Sequence, residues 1–361
     1  MSTLVAPDIL ERTLAVATQR GGDFAEVFVE DRVTSSASMD QQRVEELSSG
    51  RDRGAGIRVV IGDTTGFAHT ADLSEVGLRA AAEAAAAVAR GGGGGVREVA
   101  LEKLREYATP TSMAGDVVDK ARKIELMRLA DEAARSEGGS ISQVQVALGD
   151  SSRRIMVANT DGVLASDHQV RTRFNVMTIA AGDTGMQTGY RPVAGTRGYE
   201  ILTEEAVAEA ARGAARQAIT KLAARPAPSG DLPVVLAGGS GGILFHEACG
   251  HGLEADAILK MSSVYAGKVG QQVASPLVTL VDDGTVTGEW GYLAIDDEGR
   301  PAGRNVLIEN GVLTDYMWDY LRARQEGRAS SGNGRRQSYQ HLPMVRMTNT
   351  YLLAGTSDAD D

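Results

Sequence analysis

The amino-acid sequence predicts an α+β fold with two N-terminal helix–strands–helix units and an antiparallel, β-rich C-terminal domain. Stretches with helical and strand-like spacing of apolar residues recur in the same order twice before residue 225. Segments rich in glycine or proline divide the chain into three predicted domains, at 1–95, 119–225 and 231–361. The strand–helix alternation typical of parallel sheets is absent, so we expect antiparallel pairing.

The first unit opens with a predicted amphipathic helix over 7–20, with Pro7 in its first turn. Three strands are predicted after it, at 24–30, 33–47 and 55–61. A glycine-rich turn then leads through a short strand to an alanine-rich helix, which is capped by Ser74 and extends to Arg90. The five glycines at 91–95 end this helix and the unit.

The second unit repeats this order. A helix is predicted over 119–136 and a half-buried strand over 144–148, where apolar and polar residues alternate. Further strands are predicted near 153–158 and 169–181, and another helix begins at Thr203. We interpret the two units as related by duplication.

The third region begins after Pro226, Pro228 and Gly230 and is predicted to be rich in strands. We expect a short apolar strand at 232–237, a strand at 277–281 and a hairpin over 306–316. The hairpin is predicted from its central Asn-Gly pair, which favours a two-residue turn.

Composition and charge exclude several functions. The 361-residue chain has a net charge of -11 at pH 7, whereas nucleic-acid binding requires clustered Lys and Arg. It has no apolar run of membrane-spanning length. Asp8 and Glu11 interrupt the N-terminal segment, so we do not expect a signal peptide. With Cys249 as the single cysteine, no internal disulfide can form. These features predict a cytoplasmic protein that binds neither nucleic acid nor membrane.

The residues with the clearest chemical potential are His246, Glu247 and His251, in the pattern H-E-x-x-x-H on a helix predicted to begin near Gly241. Two imidazoles beside a carboxylate are suited to hydrolytic zinc chemistry. The histidines would hold Zn²⁺, which lowers the pKa of its water to about 7, and Glu247 would accept the water's proton.

The spacing of these histidines is one residue longer than in H-E-x-x-H. Positions five apart on an α-helix are rotated by about 140°, so an ideal helix would direct the two rings apart. A one-residue π-bulge would return His246 and His251 to one face, and such bulges concentrate at functional sites. We expect Gly250 to ease this distortion. The alternative is that two of the five histidines lie close together by chance.

Ser240 provides a second interpretation. It is the serine of a G-x-S-x-G pattern between a predicted strand and helix, and His341 with an aspartate could complete a serine-hydrolase triad. The chain lacks the parallel strand–helix alternation of that fold, and Ser240 is more simply explained as a helix N-cap.

Two later stretches, G-N-G-R-R and R-M-T-N-T, contain Asn333, Arg335, Arg336 and Asn349. These side chains could bind a peptide backbone or a terminal carboxylate. Composition alone favours the other interpretation, a turn and an edge strand with solvated arginines.

The chain resembles the TldD/PmbA family of metallopeptidases, and in particular its catalytic TldD branch. The resemblance rests on GGILFHEACGHGLEAD, on DDGTVTGEWGYLAIDDEGRPAGRNVLIENGVLTDYM, and on SGNGRRQSY followed by RMTNTYLLAG. It implies that His246 and His251 are zinc ligands and that Glu247 is the general base. It further implies peptide or unfolded-protein substrates, including leader-bearing peptide antibiotics and antitoxins, and a related, metal-free PmbA/TldE-like partner subunit.

One departure from the family pattern concerns the third zinc ligand. In the family this ligand is a cysteine well downstream of the arginine-rich stretch, whereas this sequence ends at Asp361. Cys249 is expected to point elsewhere, so we expect either a fragment of a longer protein or a ligand such as Glu254 or Asp256. A non-catalytic partner or regulatory subunit is the alternative function.

Overall fold

A computed structural model describes residues 3–62, 64–89, 99–115, 118–239 and 241–357. Its N-terminal part contains seven strands: β1 (Phe24–Asp40), β2 (Arg43–Ile61), β3 (Thr64–Thr70), β4 (Arg105–Ala108), β5 (Ile141–Asn159), β6 (Leu164–Gly182) and β7 (Gly185–Gly195). They form one sheet in the order β3-β2-β1-β5-β6, with both β4 and β7 paired to β6. Only the short β4 pairs in parallel, so the predicted antiparallel α+β fold is confirmed.

The two N-terminal units share this sheet and meet where β1 pairs with β5. Each unit has a helix before its three strands and a helix after them: α1 (Pro7–Thr18) and α2 (Glu75–Val88), then α3 (Lys120–Arg135) and α4 (Glu204–Leu222). The side chains of Ser74, Asp119 and Thr203 cap α2, α3 and α4 by accepting a hydrogen bond from a first-turn N–H. Each unit has its own apolar core between its helices and the sheet.

A shared detail supports the duplication. The third strand of each unit contains a Thr-Gly-aromatic triplet whose glycine lies against the following helix. A Cβ on Gly66 would lie 2.1 Å from the carbonyl oxygen of Ala85, and one on Gly189 would lie 1.9 Å from that of Ala214. Both units therefore use the same close approach of strand and helix backbones.

The predicted strand at 33–47 is wrong. The chain turns at Gln41 and Gln42, whose φ angles are 49° and 63°, so this stretch belongs to both arms of the long β1–β2 hairpin. Neither glutamine is a residue that typically marks a turn with positive φ. The predicted strands at 144–148 and 153–158 are likewise parts of one continuous strand, β5.

The C-terminal region contains shorter elements. They are α5 (Gly242–Phe245), a π-helical turn (His246–Gly250), a 3₁₀ turn (His251–Leu253), α6 (Ala255–Leu259), β8 (Leu280–Asp283), β9 (Arg304–Glu309), β10 (Val312–Leu313), α7 (Tyr320–Gln325), β11 (Gly334–Arg335), β12 (Met344–Val345) and β13 (Thr350–Leu352). The strands form a sheet in the order β10-β9-β8-β13 and a separate β11–β12 pair. The predicted hairpin is confirmed, with φ angles of 47° and 81° at Asn310 and Gly311.

The predicted strand at 232–237 is not formed. Its apolar side chains are exposed, to 74% at Val234 and 97% at Val235. No strand in the described part of the chain lies beside this segment to accept its backbone hydrogen bonds. Among the described helices, none has both the length and the apolar character that crossing a membrane requires.

A group of buried ion pairs joins the sheet to the C-terminal region, and we call it the charge seam. Its members come from β1, β2 and β5 on one side and from two C-terminal loops on the other: Glu26, Glu30, Arg58, Arg153, Asp297, Glu298 and Arg336. Arg153 and Arg336 also lie over the ring of Phe28. Since every member is at least nine-tenths buried, these pairs require a fixed geometry.

Glycines in β2 allow this docking. A Cβ on Gly56 would lie 2.3 Å from the carbonyl oxygen of Tyr339, and one on Gly54 would lie 2.3 Å from the Tyr339 ring. The loop that follows β11 therefore lies directly on the backbone of β2. This contact fixes the C-terminal region relative to the sheet.

Candidate metal centre

The helical segment carrying the two histidines contains the π-helical turn predicted from their spacing. The backbone N–H of His251 donates to the carbonyl of His246, which is the five-residue hydrogen bond of a π-helix. The two imidazole rings consequently lie on one face, with centroids 4.8 Å apart. One donor atom from each of His246, Glu247 and His251 lies within 4.8 Å of the other two.

Gly250 has a different role from the predicted one. Its φ and ψ angles are -56° and -55°, which any residue adopts in a helix. A Cβ at this position would instead lie 2.1 Å from the sulfur of Met347. Gly250 is therefore needed because Met347 packs directly against the histidine turn.

A buried carboxylate supports the second histidine from behind. An Oε1 atom of Glu254 lies 3.3 Å from Nδ1 of His251, and its Oε2 atom lies 3.4 Å from Nη1 of Arg346. Burial raises the pKa of Glu254 above its usual value, and the nearby His251 and Arg346 oppose that rise. With Nδ1 so engaged, Nε2 of His251 is left to face Glu247, 3.9 Å away. A carboxylate on the second ring nitrogen is the usual support for a metal-ligating histidine.

The structure separates the other proposed third ligands from this group. Glu254 contacts the opposite ring nitrogen of His251, and Asp256 accepts a hydrogen bond from the backbone N–H of Ala257 at the start of α6. Cys249 packs against the C-terminal core, and its sulfur accepts a hydrogen bond from the hydroxyl of Tyr265. Among the described residues, the three-donor group consists of His246, Glu247 and His251 alone.

The turn is open to solvent on one side. The Glu247 side chain is 66% exposed and that of His251 is 41% exposed. Ile243 and Leu244, one turn earlier, are also exposed, as is most of the apolar segment 232–236. An exposed apolar surface therefore adjoins the donor group.

The four residues of the two later stretches have different roles. Asn333 is fully buried, and its amide donates to Asp282 and to a backbone carbonyl. The Asn349 side chain accepts from one backbone N–H and donates to one carbonyl. Arg336 is a member of the charge seam. Arg335 has no ion pair in the described part of the chain, and it donates to the carbonyl of Met347.

The serine-hydrolase alternative depends on Ser240 and His341. Ser240 lies outside the described residues. The ring of His341 contacts the Ser338 hydroxyl at 2.9 Å, and its backbone carbonyl accepts from Arg336. His341 is thus engaged within its own loop.

Two contacts at the centre were missed by the sequence interpretation. Met347 against Gly250 and Arg346 against Glu254 both join segments almost one hundred residues apart. No local periodicity or motif indicates such pairs.

Comparison with known proteins identifies relatives along the whole chain. Sequence profiles of the PmbA/TldA metallopeptidases match residues 25–89 (domain 1), 113–222 (central domain) and 229–361 (C-terminal domain). A Metalloprotease TldD homolog of Haemophilus influenzae is 38% identical over 374 aligned positions, covering 100% of this chain and 77% of that protein. A Metalloprotease of Methanothermobacter thermautotrophicus is 34% identical, covering 94% of this chain and 74% of that protein.

Solved structures share the fold. TldE from Thermococcus kodakarensis superposes with a TM-score of 0.72 at 20% identity, covering 98% of this chain and 79% of that one. A Thermotoga maritima protein, described as a candidate modulator of a DNA gyrase, superposes with a TM-score of 0.78 at 22% identity, covering 98% and 78%. At these identities the likeness concerns the fold alone.

Proposed function

Because this chain belongs to the PmbA/TldD family of metallopeptidases, we propose that it hydrolyses peptide bonds with zinc held by His246 and His251 and with Glu247 as general base. The observation that carries this proposal is the π-helical turn. It brings two imidazoles and one carboxylate within 4.8 Å of one another on an exposed face.

The donor set fits zinc. Imidazole nitrogens are common zinc ligands, and Glu254 contacts the second ring nitrogen of His251, as carboxylates usually do behind a zinc-ligating histidine. When bound, zinc would polarise the scissile carbonyl and acidify a water molecule. Glu247, exposed and 3.9 Å from His251, would take a proton from the attacking water and pass it to the leaving amine.

The test of the general base is Glu247→Ala. We expect peptide cleavage to fall by about 10²–10⁴-fold, with the zinc content nearly unchanged, because both histidines remain. Glu309→Ala, at the exposed end of β9, is the matched control and should cleave like the parent chain. Cleavage retained by Glu247→Ala at the parent rate would rule out this residue as the base.

The ligand set motivates a second candidate function, a non-catalytic partner or regulatory subunit. Catalytic zinc sites normally have three protein ligands, and Cys249, Glu254 and Asp256 all lie outside the donor group. With two histidines as ligands, zinc should bind weakly to the 361-residue chain and be lost to a chelator. Stoichiometric zinc that survives a chelator would show that the ligand set is larger than proposed.

The proposal includes a partner, namely a related, metal-free subunit that encloses the site, and peptides or unfolded proteins as substrates in the cytoplasm. The apolar segment 232–236 is exposed beside the open donor group, and exposed apolar patches often mark protein–protein contacts. This supports a second subunit that would cover the site. The fold likeness to TldE is consistent with a partner of the same architecture. Solution mass and peptidase activity should be measured for the chain alone and with such a subunit. Full activity from a monomer would contradict this part.

A further inference from the structure

A cavity of about 330 Å³ lies where the central sheet meets the C-terminal region. Five arginines and one aromatic residue dominate its lining: Arg32, Arg153, Arg171, Arg335, Arg336 and Trp290. No acidic residue lines it, although the chain as a whole carries a net charge of -11. We call it the arginine cavity.

Three of the five guanidinium groups have carboxylate partners behind the cavity wall. Arg32 pairs with Glu30, and Arg153 pairs with both Glu30 and Asp297. Arg336 pairs with Glu26 on β1. These pairs belong to the fold rather than to a ligand site.

The other two arginines have no ion pair within the described part of the chain. Arg171 reaches only the hydroxyl of Thr196, at 3.4 Å, and Arg335 reaches only the carbonyl of Met347, at 3.1 Å. The Nη2 atom of Arg171 is buried without any hydrogen-bond partner, and so is the Nη2 atom of Arg153. Arg153 is itself more than nine-tenths buried as a residue, so both atoms are unsatisfied donors within the wall of the cavity.

The energetic consequence follows from burial. Desolvation, with repulsion from Arg335 and Arg153, lowers the pKa of Arg171 to about 10, against a smaller opposing effect of Asp297. An unsatisfied buried donor costs about 1–3 kcal/mol, and more when it is charged. A carboxylate in the cavity would supply the missing ion-pair partner of Arg171 and Arg335, since carboxylates bind arginine in a bidentate fashion.

The arginine cavity is close to the histidine turn. The carbonyl oxygen of Met347 accepts from Arg335, and the sulfur of the same methionine lies against Gly250 within the π-helical turn. Trp290, 48% exposed at the cavity, presents its ring to Arg171 at 5.6 Å and offers an apolar face beside the cations. Met347 therefore contacts both the candidate metal centre and the arginine cavity.

We propose that the arginine cavity binds a carboxylate group of the peptide substrate through Arg171 and Arg335, an inference that rests on the proposed peptidase function. A peptide can supply this group as its C-terminal carboxylate or as an Asp or Glu side chain. In either form the cavity holds one carboxylate of an extended peptide whose backbone reaches the donor group.

The test uses binding rather than turnover, so that it stands apart from the catalytic assignment. Glu247→Ala serves as the background, and calorimetry measures the affinity of N-acetylated penta-alanine as the free acid and as the C-terminal amide. A second pair of amidated peptides differs only by Glu or Gln at the central position. In at least one of the two pairs, we expect the charged peptide to bind at least about tenfold more tightly than its neutral counterpart. A difference in the acid and amide pair identifies the C-terminal carboxylate as the bound group, and a difference in the Glu and Gln pair identifies a side-chain carboxylate.

Substitutions of single arginines then show which residues cause the preference for the charged peptide. Arg171→Gln and Arg335→Gln should each remove the preference for the charged peptide. Arg173→Gln, the matched control on the same strand, should retain it, because Arg173 is exposed and bonds to Asn175 and Tyr190 outside the cavity. Equal affinity of charged and neutral peptides for the background chain would overturn the proposal without bearing on catalysis. A preference that persists in both cavity variants would overturn it as well.

Discussion

The charge seam and the histidine turn are both clusters of ionisable side chains, but they are built in opposite ways. In the seam, Arg58 is 1% exposed and bonds to Glu26 and Glu298, so each charge is compensated by a neighbour. In the turn, Glu247 is mostly exposed, and His251 faces it at 3.9 Å, beyond hydrogen-bond distance.

This difference separates structural from chemical roles. Groups that form ion pairs with each other fix the relative positions of two parts of the fold. Groups held close together without mutual bonds keep their lone pairs for an ion or a substrate. The neighbours Arg335 and Arg336 show both cases in one loop, because Arg336 belongs to the seam and Arg335 faces the arginine cavity unpaired.

The largest expected effect comes from breaking the seam. Arg58→Met leaves Glu26 and Glu298 buried with too little positive charge, which should lower the free energy of unfolding by about 3–5 kcal/mol. Urea unfolding measures this change. The control Arg79→Met breaks an exposed pair with Glu83 and should cost less than about 0.5 kcal/mol. Equal effects of the two substitutions would show that the seam does not hold the structure together.

A steric change tests the same junction without altering charge. Gly56→Ala places a methyl group against the Tyr339 carbonyl and should cost about 1–3 kcal/mol of unfolding free energy. Gly50→Ala, on the same strand, meets only the Thr34 hydroxyl at an ordinary 3.7 Å and should be close to neutral. If Gly56→Ala proves as mild as Gly50→Ala in urea unfolding, the close docking of the loop is incorrect.

A substitution behind the histidine turn should change zinc affinity more than the free energy of unfolding. Glu254→Gln weakens the support of His251 and should reduce zinc affinity by about 10–100-fold in a competition titration. Because glutamine has the size of glutamate, the unfolding free energy without metal should change by less than about 1 kcal/mol. Asp256→Asn, two residues along, is outside the donor group and should leave zinc affinity unchanged. A zinc affinity unaffected by Glu254→Gln would remove Glu254 from the centre.

Features determined by local chemistry were predictable from the sequence. The helices begin at the expected caps, Ser74 and Thr203, because a side-chain oxygen beside free N–H groups acts within one turn. The π-helical turn followed from the spacing of His246 and His251, since only a distorted helix brings them together.

Features that depend on distant partners were not predictable. The segment 232–237 has the composition of a strand, yet a strand forms only where another lies beside it. The turn at Gln41–Gln42 is imposed by the long pairing of β1 with β2, not by its own residues. The arginine cavity joins β1, β5 and β6 to C-terminal loops more than one hundred residues away, so the sequence revealed only Arg335 and Arg336 as candidates.

The smallest expected effect concerns pH and a carboxylate beside the seam. Burial, followed by repulsion from Glu298, raises the pKa of Asp319 to about 6, while Arg322 and Arg58 oppose the rise. The folded chain therefore binds a proton more tightly than the unfolded chain does. By linkage, this stabilisation is complete below about pH 4 and is lost as the pH rises through about 6.

Asp319→Asn tests this because asparagine cannot ionise and can still cap α7. Relative to the parent chain, the variant should gain about 1–2 kcal/mol in unfolding free energy between pH 4.5 and pH 7, whereas the loss of the pair with Arg322 lowers its stability equally at both pH values. Asp72→Asn should differ from the parent by the same amount at both pH values, because hydrogen bonds from Ser74 lower the pKa of Asp72 and place its titration below this range. Urea unfolding at the two pH values gives both differences. A constant difference between Asp319→Asn and the parent would mean that Asp319 stays ionised beside the seam across this pH range.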